Sequence, residues 1–306
     1  MAIPLIGQEL AFPEFEYEQR LHAVQKDLSK RNLAAGILFD PENIYWLTGF
    51  QSIGYFTFQC LLVLKDKKPI LLSRQVNGFL AAVTPTFSEF VGIEDHKSPV
   101  QALIDLITLH YGPSDVIGLE TKAWYLTVHD YLALRTACDL ELIEWNGYIE
   151  EFRKIKKPSQ IECMRSAARA AEAGLEAALD AVKVGASEND LASAMLGASI
   201  AAGSEYLGHP PLVVSGERTA LCFSMWKRRE LREGDVILLE SAGCVDRYHA
   251  MVARTAVLGH STEKQRKMAA TIIAVLEKAI ESICLLYTSD AAAERSSVDL
   301  GGRRII

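Results

Sequence analysis

Ionisable side chains are concentrated in one largely apolar stretch of the sequence, ESAGCVDRYHAMVARTAVLG, which runs from residue 240 to residue 259. The side chains there that could do chemistry are Glu240, Arg247, His249 and Arg254. An ionisable group in a buried strand needs either a partner or a catalytic role, because its transfer out of water is costly. The pattern predicts two strands, broken near Gly243, at the centre of a catalytic sheet.

Glu240 directly follows the apolar run 236–239 and is the first candidate for a catalytic group. A carboxylate on a buried strand can have a shifted pKa and could serve as a nucleophile or as a general base. The alternative is a buried carboxylate that is paired with Arg254.

His249 and Arg254 are the other candidates for catalytic roles. His249 could shuttle protons, although a histidine near an aromatic side chain is more often a satisfied core or rim residue. Arg254 could hold a substrate carboxylate through two parallel hydrogen bonds, or it could brace Glu240. Asp246 and His249 do not predict a metal pair, because positions three apart on a strand point to opposite faces.

The composition limits the class of protein. Of the 306 residues, 49% are hydrophobic and 23% charged, which is enough for two domains because single cores stop growing near about 250–300 residues. The net charge of −7 argues against a nucleic-acid partner and favours a small-molecule substrate. No apolar stretch reaches the roughly 18 residues of a membrane span, and residues 1–7 lack a signal-peptide pattern, so we expect a cytoplasmic protein with no membrane partner.

The amino-terminal half alternates helical and strand patterns. Apolar residues spaced by four, three and four predict an amphipathic helix after Pro13: Tyr17, Leu21, Val24 and Leu28. Asp40 and Pro41 signal a turn or a helix start before the aromatic-rich stretch 43–50, for which we expect packing in the core. Strands are predicted at 35–39, 60–64, 69–72, 116–119 and 140–143, and helices near 100–107 and 128–134. The second and third of these strands should form a hairpin, and the alternation predicts an α/β domain.

The carboxyl-terminal half begins after a basic seam, FRKIKK, at residues 152–157. Three helix starts there have capping-box spacing: Ser159 with Glu162, Ser187 with Asp190, and Thr262 with Gln265. We expect Gly185 to close the first of these helices, and strands to lie between residues 212 and 258. The order helix, helix, sheet, helix predicts an α+β domain whose helices cover one face of the sheet.

Five motifs follow one another along the chain: NIYWLTGF at 43–50, RKIKKPSQIE at 153–162, PPLVVSG at 210–216, Gly234-Asp235 and Arg254-Thr255. In this order they resemble signatures of the creatinase/prolidase (peptidase M24, pita-bread) family, and the resemblance covers residues 14–282. It implies an α/β amino-terminal domain, an α+β pita-bread domain, and a homodimer in which one amino-terminal domain reaches the partner's active site. Tyr55 and Phe56 would then line that pocket, where aromatic rings can hold a cationic substrate.

The resemblance also implies how metal ions would be held. The family's peptidases use an early aspartate, a second aspartate eleven residues later, and a late His and two Glu. Glu240 stands at the first of these positions and Met251 at the second. A thioether is a poor ligand for Mn²⁺ or Zn²⁺, so we expect a metal-free site without a cofactor.

In this departure the chain is similar to creatinases and ectoine hydrolases, which share the fold but cleave C–N bonds without metal. Residues 240–259 resemble the ectoine-hydrolase-like branch most. The family's substrate-binding histidine aligns with Cys222-Phe223, which makes Phe223 a substrate-binding position and leaves the usual proton-shuttling imidazole missing. His209, just before Pro210-Pro211, could substitute for that imidazole, with a loop histidine as the alternative.

The last stretch, CLLYTSDAAAERSSVDLGGRRII at residues 284–306, breaks the helical pattern of 268–283. It resembles the conceptual translation of a transposase-type DNA sequencing adapter, and the alternative is a genuine polar tail. We expect the natural protein to continue beyond residue 283, and the family's positions for the late His and two Glu are absent from this chain. A sheet that lacks its partner strands exposes apolar faces, so we expect residues 1–306 to aggregate or dimerise abnormally.

These observations give one leading interpretation and two alternatives. We expect a creatinase-type amino-terminal domain at 1–152, a partial pita-bread domain at 153–283 and an adapter-derived tail at 284–306. The full-length parent would cleave a C–N bond of a small amidine or compatible-solute-like substrate without metal, with Glu240 attacking or deprotonating and Arg254 orienting. The truncated chain itself would be inactive. The alternatives are an Xaa-Pro peptidase of the same family and a catalytically silent pita-bread protein that binds a peptide or ligand.

Overall fold

The computed structural model describes residues 9–207 and 209–283, so the expectations for residues 284–306 lie outside the described part of the chain. The chain divides into two compact units. Among the described residues, the first comprises those up to Arg165 together with Asp246–Tyr248, and the second comprises those from Ser166 to Val245 and from His249 to Ile283.

The first unit is built on a mixed β-sheet. Its helices and strands are, in chain order, α1 (Glu14–Lys30), β1 (Ala35–Leu38), α2 (Pro41–Thr48), β2 (Cys60–Leu64), β3 (Ile70–Arg74), α3 (Gly78–Ala81), β4 (Glu89–Ile93), α4 (Pro99–His110), β5 (Val116–Leu119), α5 (Val128–Ala137), β6 (Glu141–Glu144) and α6 (Tyr148–Lys154). The strand order is β4-β3-β2-β1-β5-β6. The β2–β3 hairpin is antiparallel, whereas β5 runs parallel to β1. The predicted α/β domain and its hairpin are confirmed.

Helices α1 and α2 form as their sequences predict. Tyr17, Val24 and Leu28 of α1 are buried. At the start of α2, the Asp40 carboxylate accepts hydrogen bonds from the backbone N–H groups of Glu42 and Asn43, and Pro41 occupies the first turn. The aromatic residues of the stretch 43–50 lie in the core, as expected.

Trp145 determines how closely the central strands are packed on one face of the first sheet. A Cβ atom added to Gly36 would lie 2.3 Å from Cζ3 of the Trp145 ring, and one added to Gly118 would lie 2.8 Å from the Trp145 Cβ. Trp145 is buried in the cluster that also holds Leu33 and Ile149. The two glycines therefore make room for the indole.

The remaining described elements are α7 (Pro158–Asp180), α8 (Glu188–Ala201), β7 (Leu212–Ser215), β8 (Val236–Val245), β9 (Tyr248–Val257) and α9 (Glu263–Ser282). The strands form a sheet in the order β7-β8-β9. Ile237 and Leu239 of β8 pack in one core with Leu175 of α7 and Met195 of α8. No helix in the described part of the chain is long and apolar enough to cross a membrane.

The strand break predicted near Gly243 is wrong. Strand β8 continues through Gly243 to Val245, and the turn consists of Asp246 and Arg247, whose φ angles are 48° and 62°. Gly243 has a packing role instead, because a Cβ there would lie 2.1 Å from the Ala167 carbonyl oxygen of α7. Arg247 therefore lies in the turn and not on a strand.

The capping box predicted for Ser159 and Glu162 is also wrong. Helix α7 begins at Pro158, and the Gln160 side chain accepts a hydrogen bond from the Lys157 N–H. The Ser159 hydroxyl instead donates to the Glu16 carboxylate, 3.1 Å away. Helix α7 ends at Asp180, so Gly185 lies in the turn that follows and does not close the helix.

The other two capping boxes are confirmed at α8 and α9. In each, a hydroxyl accepts from the N–H three residues on, and the side chain at that position accepts in return.

Candidate functional site

Glu240 lies on the face of β8 that is turned away from the helices. Its neighbours Leu239 and Ser241 are buried, and side chains alternate between the two faces along a strand. Strands β7 and β8 pair antiparallel, with Leu212 opposite Glu240. The Glu240 side chain is 18% exposed, so the carboxylate can be reached by a small molecule while most of it is shielded from water.

His209 is the residue that the structure brings to Glu240. Its Nε2 lies 3.5 Å from Glu240 Oε1, an ion-pair distance when the imidazole is protonated. Its Nδ1 is buried without a hydrogen-bond partner among the described residues. A neutral imidazole would therefore hold its proton on Nε2, beside the carboxylate, because no described residue offers Nδ1 an acceptor.

The proximity of His209 to Glu240 follows from strand register. His209 stands three residues before Leu212, which faces Glu240 across the β7–β8 pair. The apolar run at 212–214, paired antiparallel with the run at 236–239, is the sequence signal that leads to this contact. From the sequence, His209 is predicted only as a possible substitute for the family's histidine.

Arg254 and His249 both lie on β9. The Arg254 Nη1 donates to the carbonyl oxygen of the adjacent Ala253 at 2.8 Å. Val252 packs against the helix-side core, and Arg254 shares its face by strand alternation, so Arg254 projects away from Glu240. His249 is exposed one residue after Tyr248. The structure thus brings Glu240 to His209 and directs Arg254 to the opposite face.

The turn residue Arg247 belongs to the first unit. Its Nε donates to the side-chain oxygen of Gln51 at 3.0 Å. In the same unit, Tyr248 accepts a hydrogen bond from the Gln160 side chain at 2.6 Å and packs edge-on against Phe12. These contacts give Arg247 a structural role in the turn.

Phe223 lies in the loop that follows β7 and is 81% exposed, with a φ angle of 57°. A non-glycine residue in this left-handed region must be fixed by the structure around it. The loop is anchored by Glu188 of α8, a completely buried carboxylate. Its Oε1 accepts from the N–H and the hydroxyl of Ser215, and its Oε2 accepts from the Lys227 N–H at 2.7 Å.

Arg218 adds a charged contact to the same carboxylate, with its Nε 3.3 Å from Glu188 Oε1. Its Nη2 donates to the carbonyl oxygen of Met225 at 2.6 Å. Glu188 and Arg218 therefore hold both sides of the loop that carries Phe223. A buried carboxylate of this kind is stabilised only because its charge and lone pairs are matched.

Asp235, in the Gly234-Asp235 motif, forms a two-pronged ion pair with Arg229. The Arg229 Nη1 and Nη2 lie 2.6 and 2.8 Å from the two carboxylate oxygens. The hydrogen bonds from Arg229 hold the pKa of Asp235 below its ordinary value. This motif fixes the turn that leads into β8 and so positions Glu240 indirectly.

Tyr55 and Phe56 lie in a short 3-10 turn of the first unit, at Ile53–Phe56. The Tyr55 ring meets the Tyr125 ring edge-on, with 5.4 Å between centroids. The Phe56 side chain is largely exposed. Their role in a partner's pocket stays a prediction.

The residue at the position of the family's second metal ligand does not fit a divalent metal centre. Met251, at the position of the second family ligand, lies on β9 and offers only a thioether, which suits neither Mn²⁺ nor Zn²⁺. Within residues 9–207 and 209–283, no group of three or more His, Cys, Asp or Glu side chains could hold a metal ion.

Two family profiles match consecutive parts of the chain. The Creatinase/Prolidase N-terminal domain matches residues 20–155. Metallopeptidase family M24 matches residues 162–288. The junction between the two matches, residues 156–161, spans the end of the α6–α7 connection and the first residues of α7.

Named relatives are similar at low identity. An ectoine hydrolase from Halomonas elongata is 24% identical over 98% of this chain and 82% of the relative. An uncharacterised hydrolase/peptidase, y4tM, from Sinorhizobium fredii is 26% identical over 90% of this chain and 74% of the relative. An Xaa-Pro dipeptidase from Pyrococcus furiosus is 21% identical over 87% of this chain and 72% of the relative.

Solved structures share the fold. A prolidase from Thermococcus sibiricus has a TM-score of 0.78 at 20% identity, covering 87% of this chain and 72% of the prolidase. The prolidase of Pyrococcus horikoshii has a TM-score of 0.73 at 18% identity, and the match covers 86% of this chain and 72% of that prolidase. With both profile matches in chain order, the chain belongs to the creatinase/prolidase (peptidase M24) family.

Proposed function

We propose that the protein derives from a hydrolase that cleaves a C–N bond of a small amidine or compatible-solute-like substrate without a metal ion. The observation that carries this proposal is the pair of Glu240 and His209, 3.5 Å apart beside β8. Met251 at the second ligand position supports metal independence, and the ectoine hydrolase among the relatives supports the substrate class.

The pair can supply both proton transfers that hydrolysis needs. Glu240 Oε1 removes a proton from water, and the resulting hydroxide adds to the amidine carbon. The C–N bond then breaks as His209, in its imidazolium form, gives the proton on Nε2 to the departing nitrogen and becomes neutral. A proton passed from Glu240 back to His209 restores the starting state. Attack by Glu240 itself on the same carbon is the other route open to this carboxylate.

The remaining candidates have positioning roles in this proposal. Phe223 would contact the substrate with its exposed ring, and His249 would line the site from β9. Arg254 would hold a substrate carboxylate only after it leaves the Ala253 carbonyl and turns to the other face. Tyr55 and Phe56 would line the pocket of a second subunit.

The proposal is tested with the protein expressed from its native gene. We expect hydrolysis of ectoine or a related amidine that persists in the presence of a chelator. Glu240→Gln should abolish turnover without lowering the melting temperature. His209→Asn should reduce kcat at least tenfold and remove one limb of the pH profile, whereas His260→Asn, an exposed histidine outside the site, should change neither.

Two results would overturn parts of this proposal. Stoichiometric Mn²⁺ or Zn²⁺ in the gene product, with activity lost on chelation, would exclude the metal-free mechanism. Full activity of Glu240→Gln would show that the carboxylate belongs to the scaffold.

An Xaa-Pro peptidase is the second enzymatic candidate, favoured by the Xaa-Pro dipeptidase among the relatives. A panel of Xaa-Pro dipeptides, ectoine and creatine separates the two activities directly. Turnover confined to the dipeptides would establish the peptidase.

A catalytically silent binding protein is the non-enzymatic candidate. It is favoured by Cys222-Phe223 in the place of the family's histidine and by the exposure of the Phe223 ring. Absence of turnover on the whole panel, together with a rise in melting temperature on adding a peptide, would support this candidate because ligands that bind only the folded state stabilise it.

A further inference from the structure

The turn between β8 and β9 determines which residues of the two strands face each other. It consists of Asp246 and Arg247, whose φ angles are 48° and 62°. Positive φ angles at both central positions are typical of the type I′ turn of a two-residue hairpin, in which the residues on either side of the turn pair directly. Val245, the last residue of β8, therefore faces Tyr248, the first residue of β9.

This register sets Met251 next to Glu240. Counting back from the turn, Ala242 faces Met251, and Glu240 is the diagonal neighbour of Met251. Diagonal neighbours on one face are about 7–8 Å apart, which is within reach of a long side chain. Val252 packs against the helix-side core, so Met251 projects to the face of Glu240 by strand alternation. The Met251 side chain is 60% exposed and has surface with which to contact a ligand.

His209 lies beside the other edge of β8. Before it in the chain, the Glu205 N–H donates to the carbonyl oxygen of Cys244 at 2.9 Å. After it, Leu212 faces Glu240 across the β7–β8 pair. The segment that carries His209 therefore follows β8 from residue 244 back to residue 240, along the edge away from β9.

A substrate at the Glu240–His209 pair is consequently bounded by Met251. Ala242 lies between the two edges of β8 at this level, and its methyl group leaves room for a small ligand. A ligand that contacts both members of the pair lies over Ala242, with the Met251 thioether on its far side. Thr255, the other diagonal neighbour of Glu240 by the same register, lies toward the opposite end of β8 from His209. The part of the ligand directed toward β9 thus meets a side chain whose only polar atom is a weak sulfur acceptor.

We propose that Met251 is a specificity-determining residue, which selects amidines with a carbon substituent on the central carbon over guanidines, which carry a third nitrogen there. The proposal rests on the proposed hydrolysis at Glu240 and narrows its substrate class. With the departing nitrogen at His209, the rest of the substrate extends toward Met251. An amidine can turn its carbon substituent to the thioether, and alkyl groups pack well against this soft, adaptable side chain.

A guanidine has no equivalent choice of orientation. Whichever nitrogen departs at His209, another nitrogen faces Met251. Its N–H groups would lose water without gaining a good acceptor, and such an unmade hydrogen bond weakens binding. The selectivity therefore arises from what Met251 fails to offer a third nitrogen.

Acetamidine and guanidine test the selectivity by binding, because these cations have the same size and differ only in a methyl group and an amino group. The 306-residue chain, labelled with ¹⁵N and with ¹³C in the methyl groups of its six methionines, is titrated by NMR well below denaturing concentrations. We expect acetamidine to bind at least tenfold more tightly than guanidine and to shift the Met251 resonance, which is assigned by its loss in Met251→Leu. Equal dissociation constants, or a Met251 resonance that shifts with neither cation, would overturn the proposal.

The variant Met251→Gln tests the residue itself. Glutamine has a similar length and presents an amide oxygen as an acceptor, so the preference for acetamidine, measured from the ¹⁵N amide shifts, should fall at least tenfold. Met251→Leu stays apolar and should keep the preference. Met268→Gln is the matched control, because Met268 is also 60% exposed but lies on α9, and it should keep the preference too. A preference that survives Met251→Gln unchanged would refute the role of Met251.

Turnover separates this proposal from the proposed function. The protein expressed from its native gene should hydrolyse ectoine, whose amidine carbon carries a methyl group, with a kcat/KM at least tenfold above that for creatine, a guanidine. Equal kcat/KM values for the two would overturn the selectivity and leave the hydrolase standing. Turnover of neither, with the preference for acetamidine retained, would overturn the hydrolase and support Met251 as the residue that selects the bound ligand.

Discussion

Replacement of Gly243 by alanine should destabilise the second unit more than any other single-methyl addition to its sheet. Gly243 lies on β8, three residues after Glu240, at the point where α7 crosses the strand. An added Cβ would lie 2.1 Å from the Ala167 carbonyl oxygen and 2.9 Å from the Ala171 nitrogen. Both atoms are helix backbone, so no side chain can turn aside to make room.

The magnitude follows from how far the helix must move. Atoms in favourable contact are about 3.5 Å apart, and the added Cβ would lie 2.1 Å from the Ala167 oxygen, so relief of the clash requires α7 to move away from the sheet by about 1.4 Å. A gap of about 1 Å already forfeits about half of the dispersion energy across it, here between α7 and the core residues Ile237 and Leu239. Overpacking alone costs about 1–3 kcal/mol. We expect Gly243→Ala to lower the free energy of unfolding of the second unit by an amount near the top of that range, about 3 kcal/mol.

The assay must report the second unit by itself. Of the four tryptophans in the chain, Trp226 packs against the second unit's core, so its ¹⁹F resonance after fluorotryptophan labelling follows that unit through a urea titration. Gly197→Ala is the matched control, because Gly197 lies within α8 with no atom within 4 Å of an added Cβ. That control should stabilise the unit by about 0.5–1 kcal/mol. A Gly243→Ala variant within about 0.5 kcal/mol of the parent would refute the close approach of α7 to β8.

Three further outcomes are expected. Glu188→Gln should lower the free energy of unfolding, measured by urea titration, by about 3 kcal/mol. The amide nitrogen of the glutamine would face the Lys227 N–H, and Arg218 would lose its buried carboxylate partner. Burial raises the pKa of Asp40 to about 7, so its contribution to stability is present in acid and lost as the pH rises through about 7. Asp40→Asn keeps the helix cap. The difference in melting temperature between this variant and the parent should therefore shift in favour of the variant from pH 5 to pH 8. Asp190→Asn should show no such rise, because hydrogen bonds from Ser187 lower the pKa of Asp190. Gly36→Ala should cost about 1–3 kcal/mol by thermal unfolding, since its Cβ would meet the buried Trp145 ring.

Elements that depend on neighbouring residues could be predicted from the sequence. The spacing of Tyr17, Val24 and Leu28 defines α1 because burial of one helix face needs only a helical period. The capping boxes that start α8 and α9 connect residues three apart, and the β2–β3 hairpin connects strands on either side of one short turn. In each case the stabilising contacts lie within a few residues of each other.

Predictions failed where a distant partner decides the role of a residue. Ser159 has the spacing of a helix cap, yet its hydroxyl donates to Glu16, 143 residues away. Gly243 resembles a strand breaker, although its lack of a side chain serves the approach of α7. Positive φ angles fall instead on Asp246 and Arg247, a pair with no glycine to mark the turn.

The same limit applies to the candidate site, and it explains why Glu240 could be found while its partner was undervalued. Glu240 stands out in the sequence because an apolar run on a strand precedes it, and that is a local signal. Its contact with His209 exists only through the register in which Leu212 faces Glu240. Arg254, the partner predicted from its charge, falls on the opposite face because it shares the alternation of Val252. Once the antiparallel pairing of β7 and β8 is known, the residues that precede β7 become the ones to search for a proton donor.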